Sequence, residues 1–568
     1  MCGIYLYKSN FNNNAEEVVL SGLKNLEYRG YDSWGIASVG LENNLRLNKF
    51  VGKVSENNFV TMGSTLALGH TRWATHGKVT EQNSHPHISN SQRYIVVHNG
   101  IFENYLEQKN ILLKQSIKFY SETDTEVIAN MLEQEPLAKV FRQVKGSNAF
   151  IVLDTKTNKV MLAKNGSPLH IGIDASGNIS VSSDLNLILE SSDKVYSLKD
   201  GEVVDLDKLN NLKFSKNAKI LLAHAKGGEA QDGLNTFAYF MQKEIFDQKS
   251  HSILAYEKNT PLRDNWFKNK NIFASGCGTA YHAALMFSNL AAKKGISVKV
   301  IPANECESVQ NLIDKKTILF LFSQSGETAD SISFGKVVMR KGGKVYSVLN
   351  SENSTLSQIS EKTFLIHSGK EVAVASTKAF TSMVLTSMKL LDYKIPKNSF
   401  KILDEYISYE LFEKIKNVVK NLSEAKDLFV IGKGEENIVA LETALKIKEI
   451  SYIHAEGFAA GELKHGVLAL IQDKVLSIVM NSNEKYNSDI ENASLQIKAR
   501  GGQVLGVGYE NKDYFDYFIE IPKLKKDVDG FAIILTTIVG QILGYEFALA
   551  RGNNPDKPRN LAKSVTVK

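Results

Sequence analysis

A chain of 568 residues is too long for one hydrophobic core, and roughly 150 residues per unit predicts three or four domains. Apolar residues make up 43% and charged residues 23%, which is typical of a globular protein and excludes disordered and fibrous classes. The net charge of +6 is spread along the chain, which argues against nucleic acid or an anionic membrane as partner. The three cysteines, at positions 2, 277 and 306, lack disulfide or zinc spacing, which predicts a reducing cytoplasm.

Neither end of the sequence predicts a membrane or export segment. The N-terminus lacks the basic and apolar regions of a signal peptide, so we expect a cytoplasmic protein. The most apolar stretch, 530–550, is interrupted by Gln541 and Glu546, which leaves less than the ~20 residues that a bilayer span needs. It predicts a buried core helix.

Short β-rich runs separated by turn residues fill the first two hundred residues, with few helical segments between them. The clearest runs are 66–69, 94–98, 149–153 and 160–163. The strongest helical pattern is 16–26, where Val18, Val19, Leu23 and Leu26 recur at helix spacing. This part predicts a mixed sheet domain with flanking helices.

From residue 271 onward, short apolar runs alternate with longer helical ones, which predicts βαβ units and parallel sheets. The Gly-rich polar stretch 227–235 predicts a linker, with the boundary near residue 240. Three matches in order indicate a duplication. Residues 271–278 match 427–434 at an offset of 156, 322–323 match 480–481 at 158, and 342–345 match 501–504 at 159.

Cys2 directly follows the initiator methionine, and removal of that methionine would leave a cysteine with a free α-amine. An α-amine titrates near pH ~7.7–8.0, so it can take the thiol proton at neutral pH, as in N-terminal nucleophile enzymes. From position alone, a nucleophile and an incidental thiol remain equally open.

Five motifs follow one another along the first domain. They are MCGI at the start, EYRGYDS at 27–33, HTRWATHG at 70–77, HNGIFEN at 98–104 and SETDTE at 121–126. Together they resemble the class II glutamine amidotransferase domain, and their spacing resembles that of the glucosamine-6-phosphate synthase family. The resemblance implies that Cys2 is the nucleophile of a glutaminase.

The resemblance and the chemistry of glutamine assign roles to the motif residues. A carboxylate pairs with a guanidinium, which fits Arg72, and an α-amine pairs with a carboxylate, which fits Asp124. An oxyanion needs preorganised donors, which fits the Asn99 side chain and the Gly100 N–H. The alternatives are a surface ion pair for Arg72 and a helix cap for Asp124. The remaining implied residues are Thr75 and His76 for glutamine binding and Trp73 as the ammonia gate.

Two hydroxyl-rich segments of the second half precede helices. SQSGET at 323–328 follows the apolar strand 317–322, and VASTK at 374–378 precedes another helix. Backbone N–H groups and hydroxyls at a helix start can cradle a phosphate, and the alternative is a Ser-rich helix cap. Both segments resemble the sugar isomerase (SIS) fold, an αβα sandwich that binds phosphosugars. The implied sugar-phosphate contacts are Thr279, Ser323, Gln324, Ser325, Thr328, Val374, Ser376, Glu442 and Lys446.

Glu442, Lys446 and Glu449 are spaced by four and three residues, which places them on one face of an otherwise apolar helix. Such a row is usually a solvated ion-pair face. Because isomerising a ketose requires a base that moves a proton between C1 and C2, Glu449 is the candidate base. His465 is the candidate for ring opening, with a satisfied core histidine as the alternative.

The C-terminal segment 558–567, PRNLAKSVTV, has the composition of a basic disordered tail. The resemblance implies instead that it folds over the sugar site and that Lys563 forms an imine with the open-chain ketone. A lysine that is desolvated among its neighbours can lose its proton and attack a carbonyl. Ammonia then replaces the lysine at C2, and proton transfer gives the aldose.

The resemblance covers nearly the whole chain and implies its organisation. The expected parts are an αββα amidotransferase domain over 2–226, a linker over 227–249, SIS domains over 250–400 and 415–555, and a tail over 556–568. The implied reaction converts fructose 6-phosphate and glutamine to glucosamine 6-phosphate and glutamate, with internal transfer of ammonia, at the first step of amino-sugar nucleotide synthesis. The implied assembly is a homodimer in which His465 reaches the neighbouring subunit's site. No cofactor is expected, and no metal, since His85-Pro86-His87 has no third ligand at recognisable spacing.

The sequence departs from the family pattern at several positions: Tyr5-Leu6 for Val-Gly, Trp34 and Ala280 for small or hydroxyl residues, Val467 for proline, and a shorter linker. Three alternatives follow: a paralogue with the same chemistry in a special sugar pathway, a phosphosugar sensor without turnover, and a purine-pathway amidotransferase. The combined presence of Cys2, Asn99, Asp124, Glu449, His465 and Lys563 argues against the sensor. The purine enzyme would need a phosphoribosyl-binding half in place of two SIS repeats.

Overall fold

The computed structural model describes residues 2–10, 12–40, 44–57, 59–74, 76–215, 237–262, 266–352, 354–524 and 530–563. The predicted glutamine contact Thr75 lies outside these ranges. The chain divides into two compact units, one formed by Met1–Gly227 with Ser564–Lys568 and the other by Gly228–Lys563. Each unit is described by itself below.

Two antiparallel sheets form the first unit. Their strands are β1 (Gly3–Lys8), β2 (Ser33–Val39), β3 (Leu45–Val51), β4 (Leu66–Arg72), β5 (His87–Ile88), β6 (Tyr94–Gly100), β7 (Asn148–Asp154), β8 (Lys159–Asn165), β9 (His170–Ile173), β10 (Ile179–Ser182), β11 (Lys194–Ser197) and β12 (Glu202–Asp205). The order is β11-β9-β10-β1-β4-β2-β3 in one sheet and β12-β8-β7-β6-β5 in the other. All four strands predicted from the sequence are present, each slightly longer than its apolar run.

The two sheets pack face to face. Ile4 and Leu68 of one sheet and Val97, Ile151 and Leu162 of the other belong to one buried cluster. Because successive strand residues point to opposite faces, each sheet has a second face that helices cover. The helices of this unit are α1 (Ala15–Leu26), α2 (Tyr105–Lys114), α3 (Thr125–Met131), α4 (Leu137–Gln143) and α5 (Leu185–Ser191). The first unit is therefore the predicted αββα sandwich.

Helices are more numerous in this unit than the sequence indicated. The predicted helix 16–26 is confirmed as α1, which packs Val19 and Leu23 against the outer face of the seven-stranded sheet. Helices α2 to α5 contain seven to ten residues each, which is too short for an apolar stripe to repeat clearly. The unusual Trp34 is fully buried beside α1, where its ring stacks on Phe50 with a centroid distance of 4.4 Å.

Two parallel five-stranded sheets form the second unit. Their strands are β13 (Asn271–Gly276), β14 (Lys299–Pro302), β15 (Thr317–Ser323), β16 (Lys344–Leu349), β17 (Lys362–Leu365), β18 (Asp427–Gly432), β19 (His454–Ala459), β20 (Leu476–Asn481), β21 (Gln503–Gly508) and β22 (Tyr517–Glu520). The orders are β14-β13-β15-β16-β17 and β19-β18-β20-β21-β22, so both sheets have the same topology. The duplication predicted from the three sequence matches is confirmed.

Helices cover both faces of the two parallel sheets. They are α6 (Phe240–Glu257), α7 (Thr279–Lys293), α8 (Ala329–Arg340), α9 (Thr355–Ile359), α10 (Lys378–Leu390), α11 (Lys397–Tyr406), α12 (Tyr409–Lys420), α13 (Glu435–Ser451), α14 (Asn487–Lys498) and α15 (Ala532–Ala550). One large buried cluster contains side chains of both repeats, from Ile272 and Phe320 to Val430 and Ile478. The two repeats are thus parts of one packed body.

Helix α6 corrects the predicted linker 227–249, because its residues from 240 onward are helical. Met241 and Ile245 are fully buried in the core of the second unit. The carboxylate of Asp556 accepts hydrogen bonds of 2.8 Å from the N–H groups of Phe240 and Met241, at the start of the helix. The sequence did not show this because the partner of the helix start lies over 300 residues away.

Helix α15 is the apolar segment predicted as a core helix. It is long and apolar enough to cross a membrane by length and composition alone, but 94% of the apolar window is buried inside the structure. A Cβ atom on Gly540 would lie 2.1 Å from Thr443 Oγ1, and one on Gly544 would lie 3.1 Å from the Cβ of Lys446. These two glycines therefore allow α15 to approach α13 closely.

Candidate active sites

Cys2 immediately precedes the central strand β1 of the seven-stranded sheet. Its Sγ lies between two backbone groups of Trp73, 3.4 Å from the nitrogen and 3.6 Å from the carbonyl oxygen. The neighbouring Gly3 N–H donates to Thr71 Oγ1 at 3.1 Å, which fixes the chain beside β4. Burial raises the pKa of the Cys2 thiol. A thiol in this position needs a base before it can act as a nucleophile.

Arg72 ends strand β4 and is 3% exposed, so the alternative of a surface ion pair is wrong. Its guanidinium donates to the carbonyl oxygens of His76, Gly77 and Lys78 at 2.5, 3.2 and 3.2 Å. Five donors in a planar fork suit such multiple contacts. Arg72 thereby holds the loop that follows the strand, within the motif HTRWATHG.

Asp124 directly precedes α3 and is 5% exposed. Its side chain makes no capping hydrogen bond to that helix, so the cap alternative does not describe it. Instead, its Oδ2 accepts the Phe102 N–H at 2.9 Å. The carboxylate thus connects the segment after β6 to the start of α3.

Asn99 and Gly100 end strand β6. The Asn99 amide nitrogen donates to the carbonyl oxygen of Cys2 at 3.0 Å, which joins the expected oxyanion residue to the expected nucleophile. Gly100 has φ 137°, and a Cβ atom there would lie 2.0 Å from the carbonyl oxygen of Ser147. Glycine is therefore the residue that this position accepts.

The loop 323–328 follows strand β15 and leads into α8. Ser323 Oγ accepts the Gly326 N–H at 3.0 Å and lies 3.4 Å from Thr328 Oγ1. Ser325 Oγ accepts the Glu327 N–H at 3.2 Å. Thr328 precedes α8 without a side-chain capping bond, which disfavours the cap alternative. Backbone N–H groups and hydroxyls converge in a loop of this kind in the way that an anion site requires.

Contacts with neighbouring segments also fix the conformation of the loop 323–328. Its Gly326 has φ 68°, and a Cβ atom there would lie 2.1 Å from Ser354 Oγ. The Glu327 Oε1 atom accepts the Thr355 N–H at 2.7 Å, and the Gln324 carbonyl accepts the Asn350 N–H at 3.2 Å. The loop conformation is therefore set by its neighbours before any ligand binds.

Glu442, Lys446 and Glu449 lie on α13, as their spacing predicted, but the row is mostly buried and not a solvated face. The Lys446 side chain is 1% exposed. Its Nζ lies 2.7 Å from Glu449 Oε2 and 3.4 Å from Glu442 Oε1, and it donates to Thr279 Oγ1 at 3.0 Å. Although burial opposes the charge, Glu449 and Glu442 raise the pKa of Lys446.

Thr279 and His282 of α7 complete this cluster from the first repeat. Thr279 Oγ1 donates to Glu442 Oε1 at 2.9 Å, and His282 Nδ1 lies 2.7 Å from Glu442 Oε2. Burial opposes the charge of Glu442, but Lys446 and His282 lower the pKa of its carboxyl. The cluster thus contains side chains from both repeats, and His282 is a member that the sequence motifs did not indicate.

The described part of the C-terminal segment lies against the VASTK segment. Lys563 Nζ lies 2.5 Å from Glu371 Oε2 and 3.3 Å from Ser376 Oγ. The Val374 N–H donates to the carbonyl oxygen of Asp556 at 3.0 Å. The structure therefore brings Lys563 to one predicted sugar-phosphate contact, Ser376, and Asp556 of the same segment to another, Val374.

Comparisons with known proteins agree with this architecture. A glutamine amidotransferase domain model matches residues 70–190, and a SIS domain model matches 267–391 and 421–513. Curated isomerizing glutamine–fructose-6-phosphate aminotransferases match along their whole length and along all of this chain. The protein of Fusobacterium nucleatum is 36% identical over 610 residues, and that of Pyrococcus horikoshii is 36% identical over 616 residues. The chain belongs to this family.

Solved structures support the fold of the second unit. The C-terminal domain of glucosamine-fructose-6-phosphate aminotransferase from Francisella tularensis is 27% identical, with a TM-score of 0.51, over 58% of this chain and all of that one. Tagatose-6-phosphate ketose/aldose isomerase from Escherichia coli, at 17% identity, has the same TM-score over 58% of this chain and 97% of its own. It shows likeness of fold alone. The SIS repeats of the aminotransferase family are thus present in this chain.

Several residues near Cys2 were in the quoted motifs without a role. The ring of His98 joins two neighbouring segments. Its Nδ1 is 3.0 Å from Thr125 Oγ1, next to Asp124, and its Nε2 is 2.7 Å from Asn148 Oδ1. His70 Nε2 lies 3.0 Å from the His98 carbonyl oxygen. Burial lowers the pKa of His70 to about 3. A neutral ring in this position supports the strand without adding charge.

The histidines considered for a metal lie beside this group. The ring of His85 stacks on that of His70 with a centroid distance of 4.0 Å, and His87 Nε2 lies 3.0 Å from Thr123 Oγ1. Burial lowers the pKa of both His85 and His87. Within the described ranges, no group of three or more His, Cys, Asp or Glu side chains is arranged to hold a metal ion.

His465 stands apart from the other predicted residues of the second unit. It ends the 3₁₀ segment Ala460–His465 and is exposed. In the part of the chain that the structure describes, its ring makes no hydrogen bond or ion pair with Glu449. Val467, two residues after His465, lines a cavity of about 330 Å³ together with Phe458, His282 and other residues.

Proposed function

We propose that the chain performs the reaction of the isomerizing glutamine–fructose-6-phosphate aminotransferases with two separate sets of residues. The first unit would hydrolyse L-glutamine to L-glutamate and ammonia. The second would use the ammonia to convert D-fructose 6-phosphate to D-glucosamine 6-phosphate. The observation that carries the proposal is the position of Lys563 beside Ser376, in the same unit as the buried row that contains Glu449.

In the first half-reaction, the α-amine of Cys2 takes the thiol proton after removal of Met1, and the thiolate attacks the amide carbon of glutamine. The Asn99 amide and the Gly100 N–H stabilise the oxyanion. The α-amine returns its proton to the departing ammonia, and water hydrolyses the thioester. The Asn99 amide nitrogen carries two hydrogens, so it can donate one to the oxyanion while the other stays on the Cys2 carbonyl.

In the first unit, different residues bind the negative and the positive group of glutamine. Arg72, Thr75 and His76 hold the α-carboxylate of glutamine, and Asp124 holds its α-amine. Trp73, whose backbone contacts the Cys2 thiol, gates an internal transfer of ammonia. Burial of Asp124 makes its contact with an ammonium stronger than it would be in water.

In the second half-reaction, the loop with Ser323, Gln324, Ser325 and Thr328 binds the sugar phosphate. The Lys563 amine attacks the C2 ketone of the open-chain sugar and releases water to form an imine. Ammonia then adds to C2, and the lysine leaves as the free amine.

The isomerisation moves two protons. Glu449 removes a proton from C1 of the ketimine and delivers it to C2, and the proton of the C1 hydroxyl passes to the imine nitrogen, which gives the amino aldose. Lys446 and Glu442 fix this carboxylate through the ion pairs of the buried row. His465 assists ring opening from a neighbouring subunit of a homodimer, and its exposure within one chain supports this role. The enzyme works in the cytoplasm and without a cofactor.

The direct test incubates the protein with fructose 6-phosphate and glutamine that carries ¹⁵N in its amide. We expect glucosamine 6-phosphate that contains the label, and glutamate in equal amount, by mass spectrometry. Folded protein that forms neither product would contradict the proposal. Labelled ammonia in the medium without glucosamine 6-phosphate would show glutaminase activity alone and contradict the proposed second half-reaction.

The variant Cys2→Ala separates the two halves. We expect it to abolish the release of glutamate while leaving the interconversion of fructose and glucose 6-phosphates within about twofold, since the two sets of residues belong to different units. A coupled assay for glucose 6-phosphate measures the second activity. Loss of both activities in a folded variant would contradict separate sites.

A further inference from the structure

A buried carboxylate that the proposed reaction does not use lies against Lys563. The Glu371 side chain is fully enclosed, and the Lys563 side chain is 6% exposed. Their ion pair measures 2.5 Å between Lys563 Nζ and Glu371 Oε2. This partner could not be predicted from the sequence, because Glu371 is 192 residues away from the lysine and belongs to none of the motifs.

The same carboxylate organises the sugar-site segment. Its Oε1 accepts the N–H groups of Thr377 and Ala379 at 2.9 and 3.1 Å, at the start of α10. Its Oε2 accepts the Ser376 hydroxyl at 3.0 Å. Both oxygens of one side chain thus connect the helix start, a predicted sugar contact and Lys563.

A second acid lies beside the first. Glu244 of α6 accepts the N–H groups of Val372 and Ala373, the second at 3.2 Å. Its other oxygen is buried without a hydrogen-bond partner among the described residues. Burial and the charge of Glu371 raise the pKa of Glu244. Despite burial, Lys563 and the N–H groups of Thr377 and Ala379 lower the pKa of Glu371.

Because Glu371 and Glu244 are both buried, the charge of one opposes the charge of the other. The opposite pKa shifts favour the charge on Glu371, beside Lys563, and the proton on Glu244. Two other cations act on this pair electrostatically, and each has its own carboxylate partner: Lys378 Nζ lies 2.9 Å from Asp247 Oδ2, and Lys446 Nζ lies 2.7 Å from Glu449 Oε2. Lys563 is therefore the cation that Glu371 contacts directly.

We propose that Glu371 is the positioning residue for Lys563, and that it holds this lysine at the sugar site with Nζ beside Ser376. The proposal rests on the role of Lys563 stated above. A lysine side chain has four rotatable bonds, and fixing its amine near the ketone removes much of the cost of bringing the two groups together. Glu371 does not touch the sugar; it acts through the lysine and through Ser376.

The test traps the imine. The full-length protein is saturated with fructose 6-phosphate, sodium borohydride is added, and the rate of sugar attachment to Lys563 is followed by peptide mass spectrometry. Glu371→Gln keeps an acceptor for the backbone N–H groups but removes the charge. We expect it to slow trapping at saturating sugar by roughly tenfold or more. A merely structural role would change stability and not this rate.

Two further variants make the result specific. Glu371→Asp keeps the charge but draws it back by one methylene, so we expect trapping about three- to tenfold slower than in the natural chain, faster than with Gln. The matched control is Glu436→Gln in the second repeat, a carboxylate that is 2% exposed and also accepts a backbone N–H and hydroxyls. We expect this control to trap at the natural rate within about twofold.

The outcomes separate the two proposals. Absence of label on Lys563 in the natural protein would contradict the role of Lys563 itself. Label on Lys563 at an equal rate in the natural, Gln and Asp proteins would overturn the role of Glu371 and leave the role of Lys563 standing. If the Gln variant does not fold, the Asp variant decides: a slower rate supports positioning, and an unchanged rate overturns it.

Discussion

The two repeats of the second unit have the same strand order, but the loop after the third strand of each repeat differs between them. In the first repeat, the loop after β15 presents the hydroxyls of Ser323, Ser325 and Thr328. In the second, the loop after β20 is bound by the carboxylate of Glu436, which accepts the Ser482 N–H at 3.1 Å and the Thr536 hydroxyl at 3.0 Å. A carboxylate of the protein thus takes donors of the kind that a phosphate would take.

The difference depends on one helical position. The first strand of each repeat ends in glycine, and the fourth residue after it is Ala280 in one repeat and Glu436 in the other, at the same offset of 156. The space left between Lys433, Glu436 and Ser482 is only about 10 Å³. This is too small for a phosphate. Two repeats with one strand order therefore differ in the space at this loop, because the Glu436 side chain stands where the first repeat has Ala280.

The largest expected effect concerns the buried row on α13 of the second repeat, which contacts Thr279 and His282 of the first repeat. Lys446→Met leaves Glu442 and Glu449 without their cation, so we expect at least a hundredfold loss of glucosamine 6-phosphate formation and a lower melting temperature. Breaking a buried pair costs about 3–5 kcal/mol. The measurements are the product assay and calorimetry.

Its matched control is Lys433→Met, also in the second repeat. Lys433 pairs with Asp489, but both side chains are more than a third exposed, so we expect a change in stability within about 0.5 kcal/mol and natural activity. Equal losses in both variants would show that removing any cation from this repeat has the same effect.

The second prediction compares the two loops directly. Ser323→Ala removes a hydroxyl from the open loop, and we expect affinity for fructose 6-phosphate to fall about tenfold, the value of one good hydrogen bond to a charged group. Ser482→Ala removes the hydroxyl that contacts Glu436, and we expect unchanged affinity with a stability loss of about 1–3 kcal/mol. Isothermal titration and thermal unfolding distinguish the two. Equal loss of affinity in both would mean that both loops bind sugar.

The smallest expected effect is one of pH on the coupling between Glu442 and Lys446. The lowered pKa of Glu442 gives stability above the unfolded value of about 4.3, which is lost as pH falls through the folded value. The raised pKa of Lys446 gives stability below about 10.4, which is lost as pH rises through its folded value.

The coupling should therefore be constant between about pH 5.5 and 9.5. A double-mutant cycle with Glu442→Gln and Lys446→Met, measured by thermal unfolding at three pH values in this range, checks it. A coupling that falls by half across the range would mean that one of the pair titrates there. The exposed pair of Lys433 and Asp489 should show coupling near zero at every pH.

Much of the fold could be predicted because its signals are local. The apolar runs gave the strands, the spacing of Val19 and Leu23 gave α1, and the repeated glycine turns gave the duplication. The row of Glu442, Lys446 and Glu449 could be placed on one helix face for the same reason. Helical periodicity is visible within a single segment.

The rest depends on partners far apart in sequence, which periodicity cannot show. Nothing near Lys563 indicates Glu371, and nothing near Glu442 indicates His282 or that the row is buried. The linker prediction was wrong beyond residue 240 because the partner of that helix start is Asp556. The short helices α2 to α5 could not be predicted, because an apolar stripe does not repeat clearly over two or three turns. The roles of the site residues stay predictions.

Helix α15 gives the connection to Lys563 a fixed length. The glycines at 540 and 544 allow it to pack against α13, and twelve residues, 551–562, lie between its end at Ala550 and the lysine. Inserting one residue into this stretch could displace Lys563 by about 3.5 Å, more than the length of its ion pair with Glu371. We therefore expect this short segment to tolerate substitutions on its surface far better than insertions or deletions. The number of residues in it therefore matters to the proposed sugar site as much as their identity.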